Sequence, residues 1–285
     1  MADNNQYGSN QQRVASAGGV PAGVVASQVA ARIAAEQAAQ AARARLGLPL
    51  YQNPHLIALA SHGGVGVLAH VTDYSFAEKA PLIPLTADEF PRASLDYPIV
   101  FLGDGRQPYA VAGLEAGHNQ FIHNGVYRVD AYVPGYLRRY PFAFGPAQGR
   151  EGPALYLDHA SRRVAPVGAG GAVPLFQNRD VTDLTRHAVG FCRSYQAAEA
   201  RTTLVLTLLQ AHGLLEAKSV QHTSPGASTP HLALEFFSVS PERVEALSDD
   251  VFLELRKAGV LPVIHAQIAS QARWTALAAA LRVGA

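Results

Sequence analysis

The chain has 285 residues, 48% apolar and 16% charged, and its 23 Lys and Arg against 22 Asp and Glu leave a net charge of +1. Length allows one large or two ordinary domains of roughly 150 residues, and the composition excludes an intrinsically disordered chain. Near-neutrality removes the general basic field of a nucleic-acid binder, and a single cysteine excludes an intrachain disulfide framework and a Cys-based zinc ribbon.

Residues 1–50 read as a Gly/Asn/Gln-rich leader followed by an Ala-rich helical arm, with Ser27 as N-cap and Gly47 as stop. Val29, Ile33 and Leu46 are its large apolar residues, and Arg43 and Arg45 suit the negative end of its dipole. Such a helix is marginal alone, so it is either a solvated, fraying leader or an arm that orders on a protein partner or, by self-assembly, on a neighbouring subunit through Val29, Ile33, Arg43 and Arg45. Met1 to Tyr7 is acidic and amide-rich, and Gly18, Gly19, Pro21 and Gly23 break the next stretch, which argues against a secretory signal. No run approaches the roughly 18–20 apolar residues of a membrane span. A cytoplasmic or non-classically exported, surface-associated protein is expected.

The remainder, 51–285, reads as one body, β-rich over 53–160 and helix-rich over 180–285. His55–Ala60 and Gly66–His70 flank Ser61–Gly64 and predict a hairpin or tight return. Thr86 and Glu89 have capping-box spacing, with Pro91 in or ending the first turn. Strands follow at Tyr97–Leu102, Pro108–Ala112 and Asn119–Ile122, separated by turns at Gly103–Gly105 and His123–Gly125, and a further strand falls at Ala154–Leu157. Connections this short require antiparallel pairing. Pro134 opens a short helix.

After the loop at Gly168–Gly171, Leu184, Ala188, Phe191, Tyr195, Ala198, Thr202, Val205 and Leu209 recur every three or four residues, predicting a helix from about Thr182 to His212 that ends at Gly213. Cys192 beside this stripe reads as a small buried hydrophobe. Leu232–Phe237 predicts a strand, Ser240–Pro241 and Ser248 cap two helices, Val263–Ile268 predicts a short strand, and Gln271–Arg282 a last helix. The fold class is α+β: a mixed or antiparallel sheet of short strands covered by one long helix and the C-terminal helices.

Several blocks carry a family resemblance: Pro84-Leu-Thr-Ala-Asp-Glu-Phe90, Asp96-Tyr-Pro-Ile-Val-Phe101, Gly117-His-Asn-Gln-Phe121 and, most specifically, Tyr132-Val-Pro-Gly-Tyr-Leu-Arg-Arg-Tyr-Pro-Phe142. In order and spacing these resemble the SapC family, named for a bacterial surface-array protein, over roughly Asn53 to Leu281. The resemblance implies a bacterial protein with a surface-layer or cell-envelope association and implies no particular reaction.

Chemistry-bearing residues concentrate in the same block. Arg138 and Arg139 lie between Tyr136 and Tyr140 near the end of the short helix and point in different directions, so one guanidinium is expected to pair with Asp96 or Glu89 while the other clamps a carboxylate or phosphate. Arg138, Arg139, Tyr140, Asp96 and Glu89 are the candidate ligand-binding set. Internal satisfaction of both arginines is the bland alternative, as the capping box is for Glu89. His62 and His70, or His118 and His123, lack metal-ligand spacing, Ser61 and Ser94 lack a nucleophile elbow, and neither a cofactor, a metal nor a catalytic residue is assigned. These readings favour a non-enzymatic binding or assembly module of the cell envelope, a surface layer or a larger particle; the rival is an enzyme or small-ligand receptor with an arginine anion clamp.

Overall fold

The computed structural model describes residues 47–147, 152–222, 229 and 231–283; Val29, Ile33, Arg43 and Arg45 lie outside them. The first half runs β1 (Pro54–Leu56), α1 (Leu59–His62), β2 (Val65–Val67), β3 (Leu82–Pro84), a 3-10 turn at Ala87–Glu89, α2 (Phe90–Ala93), β4 (Ile99–Leu102), β5 (Gln107–Val111), β6 (Ile122–His123), β7 (Val126–Tyr127), α3 (Gly135–Arg138), β8 (Phe142–Pro146) and β9 (Pro153–Asp158). Then come β10 (Val164–Pro166), β11 (Val173–Pro174), β12 (Phe176–Gln177), β13 (Asp180–Val181), the 29-residue α4 (Asp183–Ala211), β14 (Leu215–His222), β15 (His231–Val239), α5 (Pro241–Glu245), α6 (Asp249–Lys257), α7 (Leu261–Ser270) and α8 (Arg273–Val283).

The fold is α+β, and the strand pairs among the described residues are antiparallel. The largest sheet has the order β14-β15-β4-β5-β3 and so takes strands from both the β-rich and the helix-rich parts. Where β15 meets β4 they share one residue pair, Phe237 with Phe101. Side chains of α7 complete the bonding there. Gln267 donates through Nε2 to the Ile99 carbonyl at 2.9 Å and accepts the Val239 N–H at 3.0 Å, while Ser270 Oγ accepts the Ile99 N–H at 3.0 Å. Both side chains are fully buried, where unmet backbone groups would otherwise be costly.

Alpha4 begins at Thr182, whose hydroxyl accepts the Thr185 N–H, and ends before Gly213, whose φ of 61° a side chain would resist. It packs through Val205, Leu206 and Leu209 into the main core, and its Thr202 hydroxyl accepts the Ala87 N–H at 2.8 Å. A smaller cluster of Val67, Phe142, Leu157, Leu175 and Cys192 joins β8 and β9 to the first half of α4.

Two sequence expectations are corrected. Val263–Ile268 is helical, inside α7: Pro262 suits a first helical turn, and the buried Val260, Val263, Ile264 and Gln267 recur at three and four, a period that a six-residue window hides. The proposed hairpin at 55–70 is a helical turn instead. Ala58 and Leu59 carbonyls accept from His62 and Gly63, while β1 pairs with β9 and β2 with β10 and β11, partners about a hundred residues away. Beta14, a strand of eight residues, was not anticipated; its mix of Glu, Lys, Ser and Gln reflects an edge position in the sheet.

Candidate functional site

Glu89 sets the position of α3. The capping box at Thr86 is formed, and Glu89 Oε2 accepts both the Thr86 N–H (2.8 Å) and hydroxyl (2.9 Å). Its Oε1 accepts the Gly135 N–H at 2.6 Å and the Tyr132 hydroxyl at 3.0 Å. A Cβ on Gly135 would come within 3.2 Å of that oxygen and 3.4 Å of the Tyr195 ring, so glycine lets the helix approach this closely.

From α3 the two arginines reach different cavities. Arg138 is exposed, donates to the Tyr132 hydroxyl at 3.1 Å, and lines a small cavity of about 180 Å³ with Asp73, Tyr74 and Arg163. Arg139 is 7% exposed. Its guanidinium carbon lies 4.3 Å from the ring centres of both Tyr136 and Tyr195 and 5.8 Å from that of Tyr51. Two of those rings are held by their own hydroxyls: Tyr51 donates to the Phe142 carbonyl at 2.7 Å and Tyr136 to the Pro49 carbonyl at 2.5 Å.

Arg139 lines a cleft of about 790 Å³. One wall is a single face of α4, with Cys192, Tyr195, Glu199 and Thr202 at spacings of three and four; the facing wall is Phe144–Pro146 of β8. Pro84, Leu85 and the Gln107–Tyr109 stretch line it further, and Gly47–Pro49 closes one side. The buried Arg139 Nε has no hydrogen-bond partner, and among the described residues no carboxylate oxygen lies within 4 Å of the guanidinium.

Electrostatics inside the cleft keep the arginine charged and the neighbouring phenols and thiol neutral. Burial opposes the charge of Arg139, but Tyr51, Tyr195, Tyr136 and Glu199 around it more than offset this and raise its pKa above the ordinary guanidinium value. Burial likewise raises the phenols of Tyr51, Tyr136 and Tyr195, against the pull of Arg139. The Cys192 thiol is pushed up by burial to about 11. Glu199 is raised by its setting in the concave wall, again against Arg139.

The family model for SapC matches residues 59–277. The chain belongs to the SapC family. No curated protein and no solved structure matches the chain.

The other candidate residues stand apart from this SapC-family cleft. The expected ion pair of Arg138 or Arg139 with Asp96 or Glu89 is not formed: Asp96 accepts the Tyr132 N–H at 2.8 Å and pairs with Arg128 at 3.6 Å instead, while the four donors described above surround Glu89. The reason is geometric, since both carboxylates are satisfied by backbone that enters and leaves the segment preceding α3. Tyr140 is 4% exposed and stacks on Phe76 at 3.7 Å, within the core. Among the described residues no group of three His, Cys, Asp or Glu is arranged to hold a metal, and no helix is long and apolar enough to cross a membrane.

Two groupings were missed in the sequence. Glu199 escaped notice although it stands on the face of Cys192, Tyr195 and Thr202; an acidic residue on a half-buried helical stripe is a signal that could have marked it. Ser61, His62 and His159 form a chain outside the cleft. His62 Nδ1 accepts the Ala58 N–H at 3.3 Å and the Ser61 hydroxyl at 2.7 Å, which leaves its Nε2–H to donate to His159 Nε2 at 2.9 Å. Sequence separation of 97 residues concealed that pair.

Proposed function

We propose that this SapC-family protein is a small-ligand-binding protein whose cleft seats an anionic group of the ligand on Arg139. The observation that carries this reading is a guanidinium 93% buried, given its 7% exposure, in a small-molecule-sized cleft with no carboxylate at ion-pair distance among the described residues. Removing a cation from water costs several kcal/mol unless it is paired, and ring faces return about 0.5–2 kcal/mol each. A carboxylate or phosphate arriving from the cleft supplies the missing partner and two strong hydrogen bonds. Recognition rather than transformation is supported by the surrounding groups, since raised phenol and thiol pKa values make poor bases and nucleophiles near neutral pH.

Thermal-shift and calorimetric titration of the full chain with short-chain carboxylates and phosphate esters tests this. A ligand at a hundred times its Kd stabilises the fold by about 2.7 kcal/mol, a rise in Tm of about 5–10 °C at this size. Arg139→Gln should abolish the response. Equal response in wild type and Arg139→Gln would refute the reading.

A wider role as a non-enzymatic module of the cell envelope, a surface layer or a larger particle is supported by the family's name and by the composition of residues 1–50. Solution mass and co-purified partners with and without residues 1–46 test it; identical results from both proteins would remove the arm from any assembly role.

A further inference from the structure

We infer that the ligand is a zwitterion of amino-acid type, with its carboxylate on Arg139 and its ammonium on Glu199. This rests on the reading of Arg139 as the anion seat and adds the other end of the ligand. Among the described residues lining the cleft, Arg139 and Glu199 are the two charged ones, so this described lining presents one charge of each sign. A dianion such as a phosphate ester would meet Glu199 as a repulsive neighbour, whereas a dipolar molecule oriented from one residue to the other meets attraction at both ends.

The two residues line the same cleft and do not satisfy each other. Each is felt electrostatically by the other, yet no N–O approach within 4 Å joins them. Tyr195 connects them: its ring lies 4.3 Å from the Arg139 guanidinium, and Glu199 follows four residues later on α4, about 6 Å further along the helix axis. Among the described residues the Glu199 carboxylate makes no ion pair and no hydrogen bond, and the residue is exposed where it lines the cleft. Among the described residues, neither charge has an opposite charge within 4 Å. Tyr136, Tyr195 and Leu48 supply apolar and aromatic surface for the ligand's body, and Gln107, Gln196 and Thr203 offer neutral hydrogen-bonding groups.

Calorimetric titration of the full chain with three matched triplets separates the two ends. The triplets are alanine, propionate and ethylamine; leucine, 4-methylpentanoate and 3-methylbutylamine; and phenylalanine, 3-phenylpropionate and 2-phenylethylamine. In wild type at least one amino acid should bind at least 10-fold more tightly than its deaminated acid and its decarboxylated amine. Glu199→Gln should bring amino acid and acid to within about 2-fold while the acid still binds, and Arg139→Gln should lose both. Glu199 is exposed at the cleft, so its replacement is expected to leave the thermal transition of the free protein in place. An acid that binds as tightly as its amino acid, with binding dependent on Arg139, would overturn the zwitterion and leave the anion seat standing. Absence of binding by every amino acid and acid would overturn the zwitterion, and if the phosphate esters fail as well it would overturn the anion seat.

Discussion

Glu89→Gln should cost about 3–5 kcal/mol although the two side chains are nearly the same shape. Each carboxylate oxygen of Glu89 accepts one backbone N–H, from Gly135 at Oε1 and from Thr86 at Oε2, plus one hydroxyl. The hydroxyls of Tyr132 and Thr86 can rotate to accept from an amide. The backbone donors cannot, so whichever way the amide is turned its NH₂ faces an N–H. One charge-assisted hydrogen bond is lost, about 1.5–3 kcal/mol, and a donor in a site 8% exposed is left unmet, a further 1–3 kcal/mol or so. At this chain length the loss corresponds to a fall in Tm of about 6–20 °C. Urea unfolding monitored by far-UV circular dichroism and tyrosine fluorescence measures it, with Thr86→Val as a reference that removes one hydroxyl and should cost about 1 kcal/mol. Because Gly135 would be displaced with α3, ligand response at Arg139 should weaken in the same variant. A Glu89→Gln protein within about 1 kcal/mol of wild type would refute the claim that the carboxylate anchors α3.

The His62–His159 pair predicts a pH-dependent stability. Burial lowers both pKa values from 6.5, with the other histidine and His55 adding to the lowering at His159 and Asp158 opposing it. The unfolded chain therefore binds more protons than the folded one below about pH 6.5, and stability, full above that pH, should fall as pH drops towards the lowered folded values. A His62→Gln, His159→Gln double variant with the same urea midpoint dependence between about pH 7 and 5 as wild type would refute it. Gln267→Leu should cost about 2–4 kcal/mol by orphaning the Val239 N–H where β15 parts from β4, read as an earlier urea midpoint; a neutral variant would show that water or a shift of α7 replaces the amide. Cys192, the single cysteine, should resist iodoacetamide in the native protein at pH 8 while the urea-unfolded chain reacts completely, since its thiol is 3% exposed and its pKa is raised to about 11. Comparable rates in both states would contradict the burial.

Local chemistry was legible in the sequence wherever the causes were local. The capping box at Thr86 and Glu89, the stop at Gly213 and the periodic stripe of α4 each involve residues within a few positions of one another, and each is found as expected. The errors arose where a segment's state depends on distant partners. The 54–67 stretch is split between two sheets by strands near 155, 165 and 173, and nothing within it announces those pairings. The apolar run at 263–268 looks like a strand until Val260 and the first-turn Pro262 are included, when its period becomes helical.

The cleft was half legible for the same reason. The doublet Arg138-Arg139 between two tyrosines is a local pattern, and adjacent positions on a helix must diverge by about 100°, so that different surroundings for the two could be argued without coordinates. What those surroundings are is a product of tertiary structure: Tyr51 comes from the segment before β1, Tyr136 from α3 itself, and Tyr195 and Glu199 from α4 more than fifty residues later. The local expectation that a nearby carboxylate would neutralise one arginine failed because backbone N–H groups, present at every turn of the preceding segment, had already taken Asp96 and Glu89. Competition from the backbone for those carboxylates therefore leaves Arg139 lining a cavity with no carboxylate within 4 Å among the described residues, and a buried cation so placed favours an incoming anion because that anion would supply the missing partner.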